Sequence, residues 1–203
     1  MPLSTSGKNT ALDGLAAILT FASLHSSIPD NTGSNELAGG TPAYARKAIN
    51  FSAAASGQMA KDATDPSFDV PASSIVMFVG YWTAVTAGTF LGFGPINGGS
   101  LNGVGTVKDA GDVITSHGHA LANGDRVYLQ QVVSEVLPTG LNLTTVYYVV
   151  GTTTDTFQLS LTLGGAAVAI TADGELAFQK VIPEIFGSQG TLDVDTAIID
   201  LNA

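Results

Sequence analysis

Apolar positions in this chain follow two periods, one helical and brief, the other alternating and extending over most of the length. Between Thr10 and Phe21 the residues Leu12, Leu15, Ala16, Ile18 and Leu19 recur at helical intervals, and Asp13 stands three residues after Thr10. A threonine N-cap followed by an acidic first turn suits a helix start, so the spacing predicts one short amphipathic helix from Thr10 to about Phe21. It should stop before "SLHSSIPDNTGSNELAGGTP", where Pro29, Gly33, Gly39, Gly40 and Pro42 punctuate a long loop.

Beyond the loop the helical signal vanishes. "YARKAINFSAA" reads as a strand through Tyr44, Ile49 and Phe51, "SFDVPASSIVMFVGYWTAV" supplies two more segments, and "GTFLGFGPI" a fourth, with Gly88, Gly92 and Gly94 allowing close or bent backbone. At "NGGSLNGVG" a Gly/Asn-rich link opens a Thr/Val/Gly-rich region. There "RVYLQQVV", "TVYYVVG", "TFQLSLTL" and "AAVAITA" alternate, giving about four or five strands, a fair size for a small barrel. "LDVDTAIIDL" closes the chain as a last strand, expected to pair with "GTFLGFGPI". The fold class expected is mainly β: a β-sandwich-like outer domain with one N-terminal helix, interrupted by a small inserted β-barrel domain. The boundaries expected are 1–103, 104–181 for the inserted module, and 182–203.

Composition narrows the partners. Hydrophobic residues make up 45% and charged residues only 12% of 203 residues, with a net charge of -10. That charge repels phosphate backbones and anionic surfaces, so no nucleic-acid partner is expected. The one apolar stretch near the N-terminus, Leu15–Leu19, is too short to span a bilayer and lacks a basic flank, so neither membrane insertion nor a signal peptide is expected. Zero cysteines exclude disulfides and thiolate metal sites. Low charge and many apolar strand residues leave surface that a neighbour would cover, which points to a homo-oligomer.

Two sets of residues carry a resemblance. Ala22 to Arg46 ("ASLHSSIPDNTGSNELAGGTPAYAR"), Val79 to Pro95 ("VGYWTAVTAGTFLGFGP") and Gly187 to Asn202 together resemble a family of small tailed-bacteriophage virion proteins described as tail-fibre or minor tail proteins. "HALANGDRVYL…LPTGLNLTTVYYVVGTTTDTFQLSLTLGGAAVAI" is similar to a mobile phage module likened to the small β-barrel of ubiquitin-activating enzymes, with Ala120 where the module usually has Gly. The resemblance implies a non-enzymatic structural protein, assembled in the host cytoplasm into a virion and exposed on its surface. It also implies other virion proteins as partners, trimers ahead of other rings, and possible contact with a host surface. A capsid decoration protein and a receptor- or glycan-binding virion protein are the alternatives.

Candidate chemistry is sparse. His117 and His119 lie two apart, which on a strand would put both rings on one face, and three copies around a threefold axis could then surround an ion. The resemblance gives His119 a structural place beside a turn instead, so no metal site is expected. Asn123-Gly124-Asp125 signals a hairpin and lacks the spaced carboxylates of a calcium loop. His25 lies among Ser23, Ser26 and Ser27 in what reads as polar loop, without a nucleophile elbow, and Asp193 and Asp195 read as a solvated strand edge. Phe78, Tyr81 and Trp82 cannot share one strand face, which favours core or subunit contact over a sugar-stacking platform. No catalytic residue and no cofactor is expected.

Overall fold

The computed structural model describes residues 3–97, 103–132 and 135–202. Most of the Gly/Asn-rich link, and Val133 at the end of an expected strand, lie outside these residues. The chain divides into two compact units, Met1–Gly94 with Ile185–Ala203, and Pro95–Glu184. As expected, the fold is mainly β with one N-terminal helix and a closed barrel.

In the outer unit helix α1 spans Thr5–Ala16, earlier than its apolar spacing predicts, and Ser4 rather than Thr10 caps it by accepting from Gly7 N at 3.2 Å. Thr10 lies inside the helix, donating its hydroxyl to Ser6 O at 3.0 Å. The expected continuation to Phe21 loses to sheet pairing, because Thr20 N already donates to Trp82 O. Strand β1 (Phe21–His25) follows, where a loop was expected to begin. Only Leu12 is fully buried on α1, so polar stitches help dock the helix: Asp13 accepts from Ala54 N, Asn9 from Gly57 N, and Lys8 donates to Asn202.

The expected strand over Tyr44–Phe51 shrinks to β2 (Lys47–Ala48). Next come β3 (Gln58–Ala60), β4 (Ser67–Val70), β5 (Ser74–Val76), β6 (Phe78–Trp82) and β7 (Phe90–Pro95). The main sheet has the order β2-β1-β6-β7, with β1 and β6 antiparallel from Phe21↔Trp82 to His25↔Phe78. Phe78 and Trp82 are buried here, and Tyr81, on the opposite face, meets Phe51 edge-on. Burial pushes the Tyr81 phenol up to about 12.

The second unit holds β8 (Gly103–Lys108), β9 (Val113–Thr115), β10 (Arg126–Gln130), β11 (Val146–Val150), β12 (Thr156–Ser160) and β13 (Gly174–Val181). They close as a barrel in the order β10-β11-β12-β9-β8-β13. Val127 and Leu129, Tyr147 and Val149, Phe157 and Leu159, and Leu176 and Phe178 alternate inward from four of the strands to form its core. Gly105 is needed on β8, since a Cβ there would lie 2.5 Å from Ile114 Cγ2. "AAVAITA" is not a strand: one bridge, Ser160↔Ala167, and the bond from Val168 N to Leu159 O hold it beside the barrel. Asn123-Gly124 forms a turn as expected, yet not a hairpin, because the strands on either side of it, β9 and β10, are not barrel neighbours.

At the ends of this unit Asn97 Nδ2 donates to Glu184 Oε1 at 2.7 Å, bringing the chain's way in and way out together. That contact puts Asn97 and Glu184 with the barrel, where the sequence placed the divisions at 103/104 and 181/182. The chain finishes with β14 (Glu184–Phe186), β15 (Gly190–Asp193) and β16 (Ile198–Asp200). These pair with β5, β4 and β3 respectively, so the expected pairing of the closing segment with β7 is wrong. β7 pairs with β6 instead, to which it is joined with Thr83 N donating to Thr89 O, Phe90 and Phe93 packing edge-on against Trp82 and Phe78, while the closing segment's ladders are taken up by β4 and β3.

Candidate functional site

The densest polar chemistry in the outer unit is buried, on the β1/β6 sheet. Ser23 and His25 are two apart on β1 and share a face, and both are fully buried. His25 Nδ1 faces the Ser34 carbonyl at 2.8 Å, and a carbonyl only accepts, so Nδ1 carries the proton. Nε2 then accepts from the Ser23 hydroxyl at 2.7 Å, and Ser23 Oγ accepts from Trp82 Nε1 at 2.8 Å. Every group in this chain is satisfied with a neutral ring, and desolvation by burial pulls the His25 pKa below its ordinary 6.5.

Gly80 makes room for it. A Cβ at that position would lie 2.4 Å from His25 Nε2 and 2.6 Å from Ser23 Oγ. Gly33, with positive φ, lies against the far side of the indole, where a Cβ would come within 2.2 Å of Trp82 Cζ2. Arg46 covers Trp82, its guanidinium carbon 3.3 Å from the ring centroid. The same guanidinium grips Glu36 through Nε and Nη2 at 2.9 and 2.7 Å and donates to the carbonyls of Ala84 and Ala87. Tyr44 accepts from Leu24 N at 2.7 Å. Residues 26–46 therefore form a strap bound to β1 and β6 by side chains as well as by the His25↔Glu36 bridge.

Arg46 has planar requirements that lysine cannot meet. Arg46→Lys should destabilise the outer unit by about 2 kcal/mol, through lost stacking and a strained pair with Glu36, with the barrel's transition unchanged. Calorimetry of the variant checks this.

A serine hydrogen-bonded to a histidine is the beginning of a nucleophilic pair. Here Ser23 Oγ has no solvent contact and is occupied by the indole, so the pair fastens the strap and presents no nucleophile. Sequence reasoning missed this arrangement by placing His25 in a loop. The parity of Ser23, His25, Gly80 and Trp82, once β1 is recognised as a strand, is the signal that finds it.

His117 and His119 occupy a turn rather than a strand, separated by Gly118 with positive φ. His117 is 86% exposed, its Nδ1 3.3 Å from Asp155 Oδ1. His119 is buried, edge-on to Phe157; its Nδ1 accepts from Leu121 N at 3.0 Å, leaving Nε2 to donate to Thr156 O at 3.3 Å. The structure does not bring the two rings to one face. Among the described residues no group of three or more His, Cys, Asp or Glu is arranged to hold a metal ion. The barrel also carries a shallow groove of about 360 Å³ between Gly124, Val149 and Leu163, whose lining has no ionisable side chain and whose one polar side chain, Asn123, already accepts from Thr152.

The strap, its sheet and its glycines lie within one matched segment. Residues 11–107 match the family described as podophage GP4 fiber I protein gp80. The match supports a tailed-phage fibre-type protein, and with it a virion component. It begins within α1, covers β1 to β7, and ends in β8; β9 to β13 and the closing strands lie beyond the gp80 match. No curated protein and no solved structure matches the chain. Among the described residues no helix is long and apolar enough to cross a membrane.

Proposed function

We propose that this chain is a non-enzymatic structural component of a tailed-phage particle, exposed on its surface and most at home in a tail fibre or the minor tail. The match of residues 11–107 to the podophage fibre family carries this reading. In it, the outer unit is the part that docks on other virion proteins, and the barrel, a phage module of the kind likened to the ubiquitin-activating-enzyme barrel, is an addition inserted at one point of the chain. Self-association as a symmetric homo-oligomer, a trimer foremost, belongs to the proposal. It is supported by exposed apolar side chains on both units, such as Ile185, Ile198 and Leu163, and by a net charge of -10 that directs binding away from nucleic acid.

Mass spectrometry of purified particles, followed by immunogold labelling, is the deciding measurement. The expected result is a virion protein at tail-like copy number, with label at the tail. Absence from mature particles overturns the reading, and a copy number in the hundreds with label over the head moves it to capsid decoration. Light scattering of the purified chain tests the oligomer separately, and a monodisperse monomer at high concentration removes the trimer.

A further inference from the structure

We propose that His25 is a proton-sensitive latch: its neutral ring holds the 26–46 strap against the β1/β6 sheet, and protonation lets the strap go. The geometry allows only one comfortable state. Nδ1–H is committed to the Ser34 carbonyl, and Nε2 must accept from Ser23. A second ring proton would force Ser23 Oγ to accept from His25 as well as from Trp82, turning the serine's own hydrogen away from the partner it has now. The charge would also sit in a fully buried position.

The surroundings give it no countercharge of its own. From β6 the ring lies over Gly80, with Phe78 opposite His25 in the ladder, and from β7 it meets Phe90 with ring centroids 5.8 Å apart. The charged groups facing it, Glu36 and Arg46, both sit on the strap and pair with each other at 2.7 Å, so attraction from one is offset by repulsion from the other. Tyr44, also on the strap, stays a neutral phenol, its pKa raised by burial. The ring lies so close over Gly80 that a Cβ there would come within 2.4 Å of Nε2, so it is packed against the backbone of β6.

The direction follows from linkage. The folded His25 binds its proton more weakly than the unfolded chain does, whose ordinary value is 6.5, so the latch is fully effective above that pH. As pH falls below 6.5 the open strap is favoured by up to tenfold per pH unit, one proton's worth, until the folded ring itself titrates.

Hydrogen exchange of the full chain between pH 7.5 and 5, corrected for the intrinsic rate, tests the proposal. Amides of Ser26, Gly33 and Leu37 on the strap should lose protection by up to about tenfold per unit below 6.5, while amides of the barrel core serve as the internal reference. His25→Asn can still donate to the Ser34 carbonyl and does not titrate, so it should lower strap protection at pH 7.5 and abolish the dependence on pH. His119→Asn should leave the dependence intact. Strap protection that does not change with pH in the native chain, or an unchanged dependence in His25→Asn, overturns the latch. If His25→Asn does not fold, ring NMR of the native protein decides: a proton on Nδ1 and a pKa below 6.5 are required, and a ring that titrates at or above 6.5 refutes the proposal.

Discussion

Trp82→Ala should remove about 3–5 kcal/mol from the outer unit, enough to leave it largely unfolded or to lower its transition by more than about 10 °C. The indole is 6% exposed and joins four separate features of the fold. Phe90 packs edge-on at 5.0 Å, Arg46 lies over the ring, Nε1–H holds Ser23 in place for His25, and Gly33 seats the strap against its far side. A cavity there also takes from Ser23 Oγ the donor it accepts from, leaving the buried serine only its bond to His25, and strips the guanidinium of its platform. Trp82→Phe keeps one aromatic ring in the site but loses the fused ring that carries the N–H, and should cost about 1–3 kcal/mol, less than Trp82→Ala. Far-UV circular dichroism with calorimetry separates the units, since the barrel's transition should not move. Because Trp82 is the one tryptophan of the chain, fluorescence of the native protein reports on the outer unit alone. A shift of the barrel transition equal to that of the outer unit would show the two to unfold as one body.

Excision of the barrel should leave a folded outer unit. With Asn97 Nδ2 bonded to Glu184 Oε1 at 2.7 Å and to the Ile182 carbonyl at 3.5 Å, the two ends of the second unit are within reach of a short connection. Replacing residues 97–183 by a short glycine-containing turn should preserve the β2-β1-β6-β7 sheet, and with it a cooperative transition near the temperature of the full chain's outer unit. Residues 95–184 expressed alone should fold as well, because the barrel closes on itself around its own core. Loss of cooperative unfolding in the excised chain, with the barrel folded, would make the barrel a required scaffold for the outer unit.

Strands β11 and β12 were readable in the sequence because the pairs Tyr147/Val149 and Phe157/Leu159 are each separated by a half-exposed residue, and β10 was readable from its strand-forming residues although Tyr128 between Val127 and Leu129 is buried too. Strand β13 was hidden, since Leu176 to Gln179 are buried in succession, Gln179 by accepting from the Tyr128 hydroxyl at 2.6 Å. A polar residue buried through a partner 51 positions away leaves no local trace. The same reason concealed β1. Its Ser and His read as loop until Trp82 and Ser34 supply their partners, and the neighbouring run from Leu12 to Leu19 then mimics a longer helix. For His117 and His119 the parity argument presupposed extended backbone, whereas Gly118 bends the chain and sends one ring into solvent and the other into the core. The closing strand was recognisable as β, but its partners were not: residues such as Leu192 and Ile199 announce burial and say nothing about whether Phe68, Met59 or Phe93 lies opposite.

The closure of the six strands has a consequence for crowding. An open sheet ends in a row of unpaired amides and carbonyls on which a strand from another molecule can grow, a hazard that rises with local concentration. In this barrel each strand has a ladder neighbour on both sides, so packing many copies side by side gives no template for polymerisation. Contact with other molecules is left to side chains in the connecting turns, such as Leu161 and Leu163, which can change from one relative to the next without touching the hydrogen bonds that hold the barrel shut.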